Sequence, residues 1–205
     1  MSWGFEFRTE VWVTAYTGVK AKSLQEFTEA IKVVPNSSLF YHFYLNLFNY
    51  HNLPTDYPNS FAHWLARNNC EILAEKISVI DPIRYYDLEK LREDLLSILW
   101  ECEAEKVKAF LEPFHFIYVH RHVLETGRVA YNLEEFVEGI EKSSIYSLFH
   151  HLITCRVDKG SAINDYSEWL INQGYAKKGE AIESIDVYML NLYEVKEAIL
   201  EVMKE

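Results

Sequence analysis

The sequence is poor in the residues that break a chain or staple it. Seven glycines and five prolines are spread over 205 residues, and no tract of Ser, Gln or Pro sets one stretch apart from another, so neither a flexible linker nor a low-complexity segment is expected. Cysteines are few as well. Cys70, Cys102 and Cys155 are odd in number, far apart and in no paired motif, which excludes a disulfide framework or a thiolate zinc site and fits reduced thiols in a cytoplasm. Positive charge is outnumbered, with 20 Lys and Arg against 31 Asp and Glu for a net −11. Residues 1–113 hold 11 basic against 16 acidic groups and residues 114–205 hold 9 against 15. A surface this evenly acidic, with no local cluster of Lys and Arg, repels phosphate backbones and anionic lipid, so nucleic acid and membranes are excluded as partners. The amino terminus has neither the basic start nor the apolar core of a signal peptide. One stretch, Val33 to Thr55, lacks Asp, Glu, Lys and Arg, yet it contains Pro35, Asn36, His42, Asn46, Asn49 and His51. It reads as a buried aromatic helix, since a span needs about twenty predominantly apolar residues.

What is present is ample apolar material, 49% of residues, with 15% aromatic, and a pattern that occurs twice. Thr17-Gly18, Leu24, Phe27, Glu29 and Ile31 align with Thr126-Gly127, Leu133, Phe136, Glu138 and Ile140, and Ser38-Leu39-Phe40-Tyr41-His42 aligns with Ser147-Leu148-Phe149-His150-His151. After a connection four residues shorter in the second half, Asn59, Trp64-Leu65, Ile77 and Ile80-Asp81 meet Asn164, Trp169-Leu170, Ile182 and Ile185-Asp186. The last block pairs Leu88, Leu91, Arg92 and Glu93 with Leu192, Val195, Lys196 and Glu197. Agreement across four blocks with small shifts between them is the signature of an internal duplication. The expected units are 1–113 and 114–205, packed as one globular body with pseudo-twofold symmetry.

Each unit reads as one strand followed by four helices, giving an α+β, predominantly α fold. Phe7 to Tyr16 and Phe116 to Glu125 are aromatic and β-branched, and each should end in a Thr-Gly turn. Ser23-Leu24-Gln25-Glu26 and Asn132-Leu133-Glu134-Glu135 look like capping boxes that open a first helix. A second, aromatic helix begins near Ser37 or Ser38 and near Ser144. A third, carrying Trp64 or Trp169, starts after Asn59 or Asn164. The fourth is expected from about Tyr86 to Leu111, where Pro113 stops it.

The order Thr17-Gly18, Leu24, His42, Asn59, Trp64, Ile80-Asp81-Pro82 and Leu91-Arg92-Glu93 resembles a prokaryotic domain-of-unknown-function family, number 5752, with the likeness falling on both halves. The second half departs from it at Val187 in place of Pro82 and at Lys196 in place of Arg92. The resemblance implies a fold and a cytoplasmic location, and it carries over no activity, cofactor or catalytic residue.

Histidines supply the candidate chemistry. His42 and His151 occupy matching places in the aromatic helices, so they, with Trp64 and Trp169, are the candidate ligand-binding residues if the halves bring them into one pocket; packing common to both halves explains them equally well. His120 and His122 alternate on a strand and therefore share a face, as two metal ligands would, with His115, His150 or His151 as a third. Asp81, Asp186, Asn59 and Asn164 are read as turn and cap residues, and the Thr-Gly pairs lack the glycine-rich loop and lysine of a phosphate cradle. No nucleophile elbow or Cys-His signature stands out, and no cofactor is implied. The expectation is a non-catalytic interaction or regulatory protein that binds a protein partner or itself, the alternative being a small-molecule or metal-dependent enzyme with its site at the junction of the two repeats.

Overall fold

Two long strands carry the chain from one group of helices to the next. The computed structural model describes residues 4–45, 57–101, 109–187 and 190–204. Strand β1 (Phe5–Ser23) pairs with β2 (Ala109–Ala130) in a two-stranded sheet. Thr17 Oγ1 donates to the carbonyl of Phe116 and Thr126 Oγ1 donates to that of Phe7; one residue number rises as its partner's falls, so the strands are antiparallel. Helices α1 (Leu24–Val33), α2 (Asn36–Phe43), α3 (Ser60–Arg67) and α4 (Glu71–Ser78), a 3₁₀ turn (Pro82–Arg84) and α5 (Leu88–Glu101) follow β1. After β2 come α6 (Leu133–Lys142), α7 (Ile145–Phe149), a π turn (His150–Thr154), α8 (Cys155–Lys159), α9 (Asp165–Asn172), α10 (Ala176–Glu183) and α11 (Leu192–Lys204). The fold is thus mixed, mostly helical, with one small sheet.

The chain divides into two compact units whose boundaries cut both strands. One is contiguous, residues 13–120. The other is composite, residues 1–12 together with 121–205. In the contiguous unit Phe27 stacks on Trp64 at 5.0 Å and on Phe116 at 5.5 Å, and Phe61 and Phe114 meet Phe27 edge-on. In the composite unit Phe136 stacks on Trp169 at 4.4 Å, with Phe5, Phe7 and Tyr166 around it. Each helical group is therefore closed by aromatic residues near the start of a strand: Phe114 and Phe116 of β2, which follow the helices of the contiguous unit, and Phe5 and Phe7 of β1, which come to the composite unit from the far end of the chain. Gly139 permits the latter, because a β-carbon there would stand 2.2 Å from the Phe7 ring.

Local chemistry sets the ends of the helices. Ser23 and Asn132 accept the N–H groups of Glu26 and Glu135, as the capping read from the sequence requires, and those two glutamates reach back past the cap to the N–H groups of the residues before it, Lys22 and Tyr131. Asn59 and Asn164 cap α3 and α9 through the N–H groups of Ala62 and Ser167. Asp81 accepts from the Ile83 N–H, as a turn residue does. Arg92 donates to the Ile31 carbonyl at the end of α1, and Lys196 donates to the Glu141 and Ser143 carbonyls at the end of α6. The exchange of Arg for Lys between the halves thus keeps one task, a cation on the free carbonyls of a helix end.

Three expectations are corrected. Thr17-Gly18 and Thr126-Gly127 do not close the strands but lie inside them. Gly18 and Gly127 have φ of 82° and 75°, a left-handed residue of the kind a bulge needs, and each threonine hydroxyl takes the N–H two residues on. The last helix of the first half ends at Glu101, and β2 has begun by Ala109; Pro113 sits in the strand rather than stopping a helix. Cys102 and residues 46–56, within the longer connection after the first aromatic helix, lie outside the described residues. Helices α4 and α10 were not expected. They follow a left-handed Asn69 and Gly174, after which the N–H groups of Cys70 and Tyr175 return to the carbonyls of Leu65 and Leu170, a Schellman turn that ends one short helix and launches another.

Trp64 and Trp169 are each 7% exposed. Trp64→Ala and Trp169→Ala should each lower unfolding free energy by roughly 3 to 5 kcal/mol, the range for a truncated buried aromatic. Urea titration measures this, and a loss below about 1 kcal/mol at either position would mean that the indole is not part of a packed core.

Candidate functional site

The site grows from how a helix holds a strand. In the contiguous unit, Ser38 and His42 stand one turn apart on α2 and grip one residue of β2: Ser38 Oγ donates to the Ile117 carbonyl at 2.7 Å, and the Ile117 N–H donates to His42 Nε2 at 3.1 Å. In the composite unit the Arg8 N–H donates to His151 Nε2 at 2.8 Å. Both imidazoles are 2% exposed. Because each Nε2 accepts, the neutral ring must carry its proton on Nδ1. Burial pushes the His42 pKa down to about 3. His151 is also lowered by burial, although its bond to Asp165 pulls the other way.

Beyond that clamp the two units differ. In the composite unit the helix that carries the clamp widens into the π turn at His150–Thr154, a distortion that tends to accompany functional positions. His151 Nδ1 lies 2.7 Å from Asp165 Oδ2, the first residue of α9. Lys159 Nζ stands 2.6 Å from Asp165 Oδ1 and 2.7 Å from Glu168 Oε2. Burial by itself would raise the Asp165 pKa, but the hydrogen bonds from His151 and Lys159 outweigh it and hold the carboxyl down at about 2. Lys159, pulled down by burial, is pushed up further by the same carboxylates. Behind this layer Glu10 is 2% exposed. Its Oε1 accepts from the Trp12 indole at 2.7 Å and from Thr154 Oγ1 at 3.0 Å, and His150 Nδ1 lies 3.2 Å from Oε2. A buried carboxylate is tolerable only when so served.

At the equivalent places the contiguous unit has Val119 for Glu10, Leu45 for Thr154, Tyr41 for His150 and Ser60 for Asp165. Val119 and Leu45 are buried. Where Glu10 and Thr154 stand in one unit, the other has apolar core. The polar network opens on a cleft of about 440 Å³ lined by Phe5, Arg8, His151, Lys159, Asp165, Glu168, Trp169 and Asn172, among others.

His150, His151 and Asp165 each offer a ligand atom within 4.8 Å of the other two, but their protons argue against a metal in this arrangement. A cation on His151 Nδ1 would move the ring proton to Nε2, where it would face the Arg8 N–H. The 2.7 Å separation of His151 and Asp165 is that of a hydrogen bond from the Nδ1 proton to the carboxylate. Cys155 offers no nucleophile either. It is buried, its thiol donates to the His151 carbonyl, and burial and the nearby Asp165 push its pKa up.

Of the residues singled out in the sequence, His151 and Trp169 line this cleft, while His42 and Trp64 belong to the core of the other unit. His120 and His122 are exposed, and neither belongs to the ligand group found among the described residues. Asp165, Glu10 and Lys159 were missed, and His150 was weighed only as a third metal ligand. Their signal was present, since each stands where the two halves of the sequence disagree, or, for Lys159, in the connection that differs in length.

A family profile matches residues 2–204, both halves in one span. The chain belongs to DUF5752, a family of unknown function. Its fold is shared with a solved structure, OrfY from Thermoproteus tenax, at 27% identity and a TM-score of 0.87, over 98% of this chain and 94% of that one. No curated protein matches the chain. Among the described residues no helix is long and apolar enough to cross a membrane.

The clamp makes stability depend on pH. His42 binds its proton near pH 6.5 when unfolded and near 3 when folded, so between those values the unfolded chain holds more protons. Stability is complete above about 6.5 and falls with acid, at about 1.4 kcal/mol per pH unit from His42 alone. Urea unfolding at pH 7, 6 and 5 should show this slope, with a further contribution of the same sign from His151. His42→Gln can still accept the Ile117 N–H but cannot titrate, so it should flatten the slope by one proton; an unchanged slope would show that His42 is not held neutral.

Proposed function

We propose that this protein is a non-catalytic binding protein of the interaction or regulatory kind, built by internal duplication, in which the cleft of the composite unit is the recognition site. The duplication is supported by the common order of elements, by the clamps at His42 and His151 and by the matched aromatic cores. One observation carries the binding reading: among the described residues the charged network with its π turn appears in one unit, and at the matching positions of the other Val119 and Leu45 are apolar core while Tyr41 and Ser60 are half-buried. Burying Glu10 and Asp165 costs stability that an apolar core does not, so their presence calls for a purpose beyond packing. Catalysis is the weaker reading because the groups capable of it are occupied. His151 uses both ring nitrogens, and the Cys155 thiol is engaged and raised in pKa.

A thermal-shift panel of small metabolites, with mass spectrometry of each compound afterwards, tests this. At a hundred times its Kd a ligand adds about 2.7 kcal/mol of stability. The expected result is at least one compound that stabilises the chain, is recovered unchanged, and loses its effect in Asn172→Trp, where an exposed lining residue is enlarged to fill the cleft. Conversion of the compound would favour the enzyme reading, and stabilisation undiminished by Asn172→Trp would place recognition elsewhere.

A further inference from the structure

The two strand clamps are built alike but do not hold alike. At Ile117 two side chains of α2 share the work, Ser38 on the carbonyl and His42 on the N–H. At Arg8 the counterpart of Ser38 is Ser147, whose buried hydroxyl gives no hydrogen bond to the strand. His151 therefore holds the backbone of that residue without the help that His42 receives. The bond needs a bare Nε2. A proton added there would point at the Arg8 N–H, 2.8 Å away, and turn the acceptor into a second donor. The surroundings of the ring decide how readily that proton comes. Burial disfavours the imidazolium, the bond from Nδ1 to Asp165 favours it, and the charges of His150 and Arg8 oppose it. Behind these, Lys159 pairs with Asp165 and Glu10 with His150, while the Tyr166 hydroxyl and the Cys155 thiol, both raised by burial, stay neutral. At the place of Asp165 the contiguous unit has Ser60, which brings no charge to His42.

We propose that the strand segment Phe5–Glu10 is an acid-released latch of the composite unit: a proton on His151 Nε2 expels the Arg8 N–H, the segment comes away from the helices, and Asp165 retains the charged ring. The released state binds one proton more than the latched state. Release therefore rises as pH falls, by about tenfold per pH unit over the range in which the latched ring is neutral and the released ring is charged. Phe5 and Phe7, 6% and 2% exposed, lose their apolar cover on release, which keeps the latch shut near neutrality. The segment also brings Phe5 and Arg8 to the cleft, so release dismantles that wall, but the latch does not depend on whether the cleft binds anything.

Amide hydrogen exchange of the full chain, read as protection factors at pH 7.5 and 5.5, tests this. Protection of residues 5–10 should fall roughly fivefold or more between the two. His42→Gln should leave that fall unchanged, because the segment opens without the contiguous unit. His151→Gln has an amide oxygen that can accept the Arg8 N–H but takes up no proton, and it should abolish the fall. Should His151→Gln fail to fold, Asp165→Asn decides: it keeps an acceptor for Nδ1 without the charge, and should cut the fall to about half or less. Three outcomes overturn the proposal. One is protection that does not change with pH in the wild type. Another is a fall kept in full by His151→Gln or, in its place, by Asp165→Asn. The third is a fall that His42→Gln reduces as much as His151→Gln does, which would mean that the segment opens only when the whole chain unfolds.

Discussion

The bond between a buried imidazole and the backbone N–H of an edge strand is the constraint on which much of this structure turns. A strand paired on one side only leaves N–H and C=O groups facing outward, and burying them under helices without partners would cost about 1 to 3 kcal/mol each. At Ile117 and Arg8 a histidine on the covering helix accepts the exposed N–H, and at Ile117 a serine one turn earlier supplies the donor for the carbonyl. Two side chains at helical spacing thereby stand in for a missing neighbouring strand. The same bond dictates protonation. An acceptor Nε2 fixes the tautomer and requires the ring to be neutral, so the clamp, the proton on Nδ1 and the acid sensitivity of the fold are one physical fact seen three ways.

The clamp is common to both units, and they differ in what lies beyond it. In the composite unit the His151 Nδ1 proton is directed to Asp165. A carboxylate so placed needs countercharge, which comes from Lys159. In the other unit Ser60 stands where Asp165 does. The π turn belongs to the same set, because it spans His150, His151 and Thr154, the residues of that helix which join Asp165 and Glu10 in the network.

The sequence made the frame legible because its signals are local. Caps at Ser23, Asn59, Asn132 and Asn164 depend on residues three positions away, and each acts as read. The strand boundaries were harder. Thr-Gly is good turn chemistry when judged by its neighbours, and only pairing with a distant strand turns it into a left-handed residue in mid-strand. Glu101 to Glu112 reads as a helix surface by its alternating charge, yet Ala109 onward is drawn into β2 by a partner about a hundred residues away. That is a tertiary effect overriding local propensity. The exchange of strand segments between units was likewise out of reach, because Phe5 and Phe7 match Phe114 and Phe116 whichever helices they cover.

The site was hidden for a related reason. Likeness between halves draws attention to His42 and His151, and likeness is what common packing produces; these two residues do the same structural work in each unit. Chemistry is better sought where the halves part. Val119 against Glu10, Tyr41 against His150 and Ser60 against Asp165 are three exchanges of a bland residue for an ionisable one, far apart in sequence and gathered by the fold into one cluster. Any one of them alone would pass as surface drift. Together they cannot, since a buried Glu, a buried His and a largely buried Asp each cost stability unless the others are present to satisfy them. The contacts run from the strand clamp to His151, from His151 to Asp165 and from Asp165 to the Lys159 ammonium, so the residues by which the halves differ depend on one another for their burial, whereas the matched histidine pair needs only the strand that each one holds.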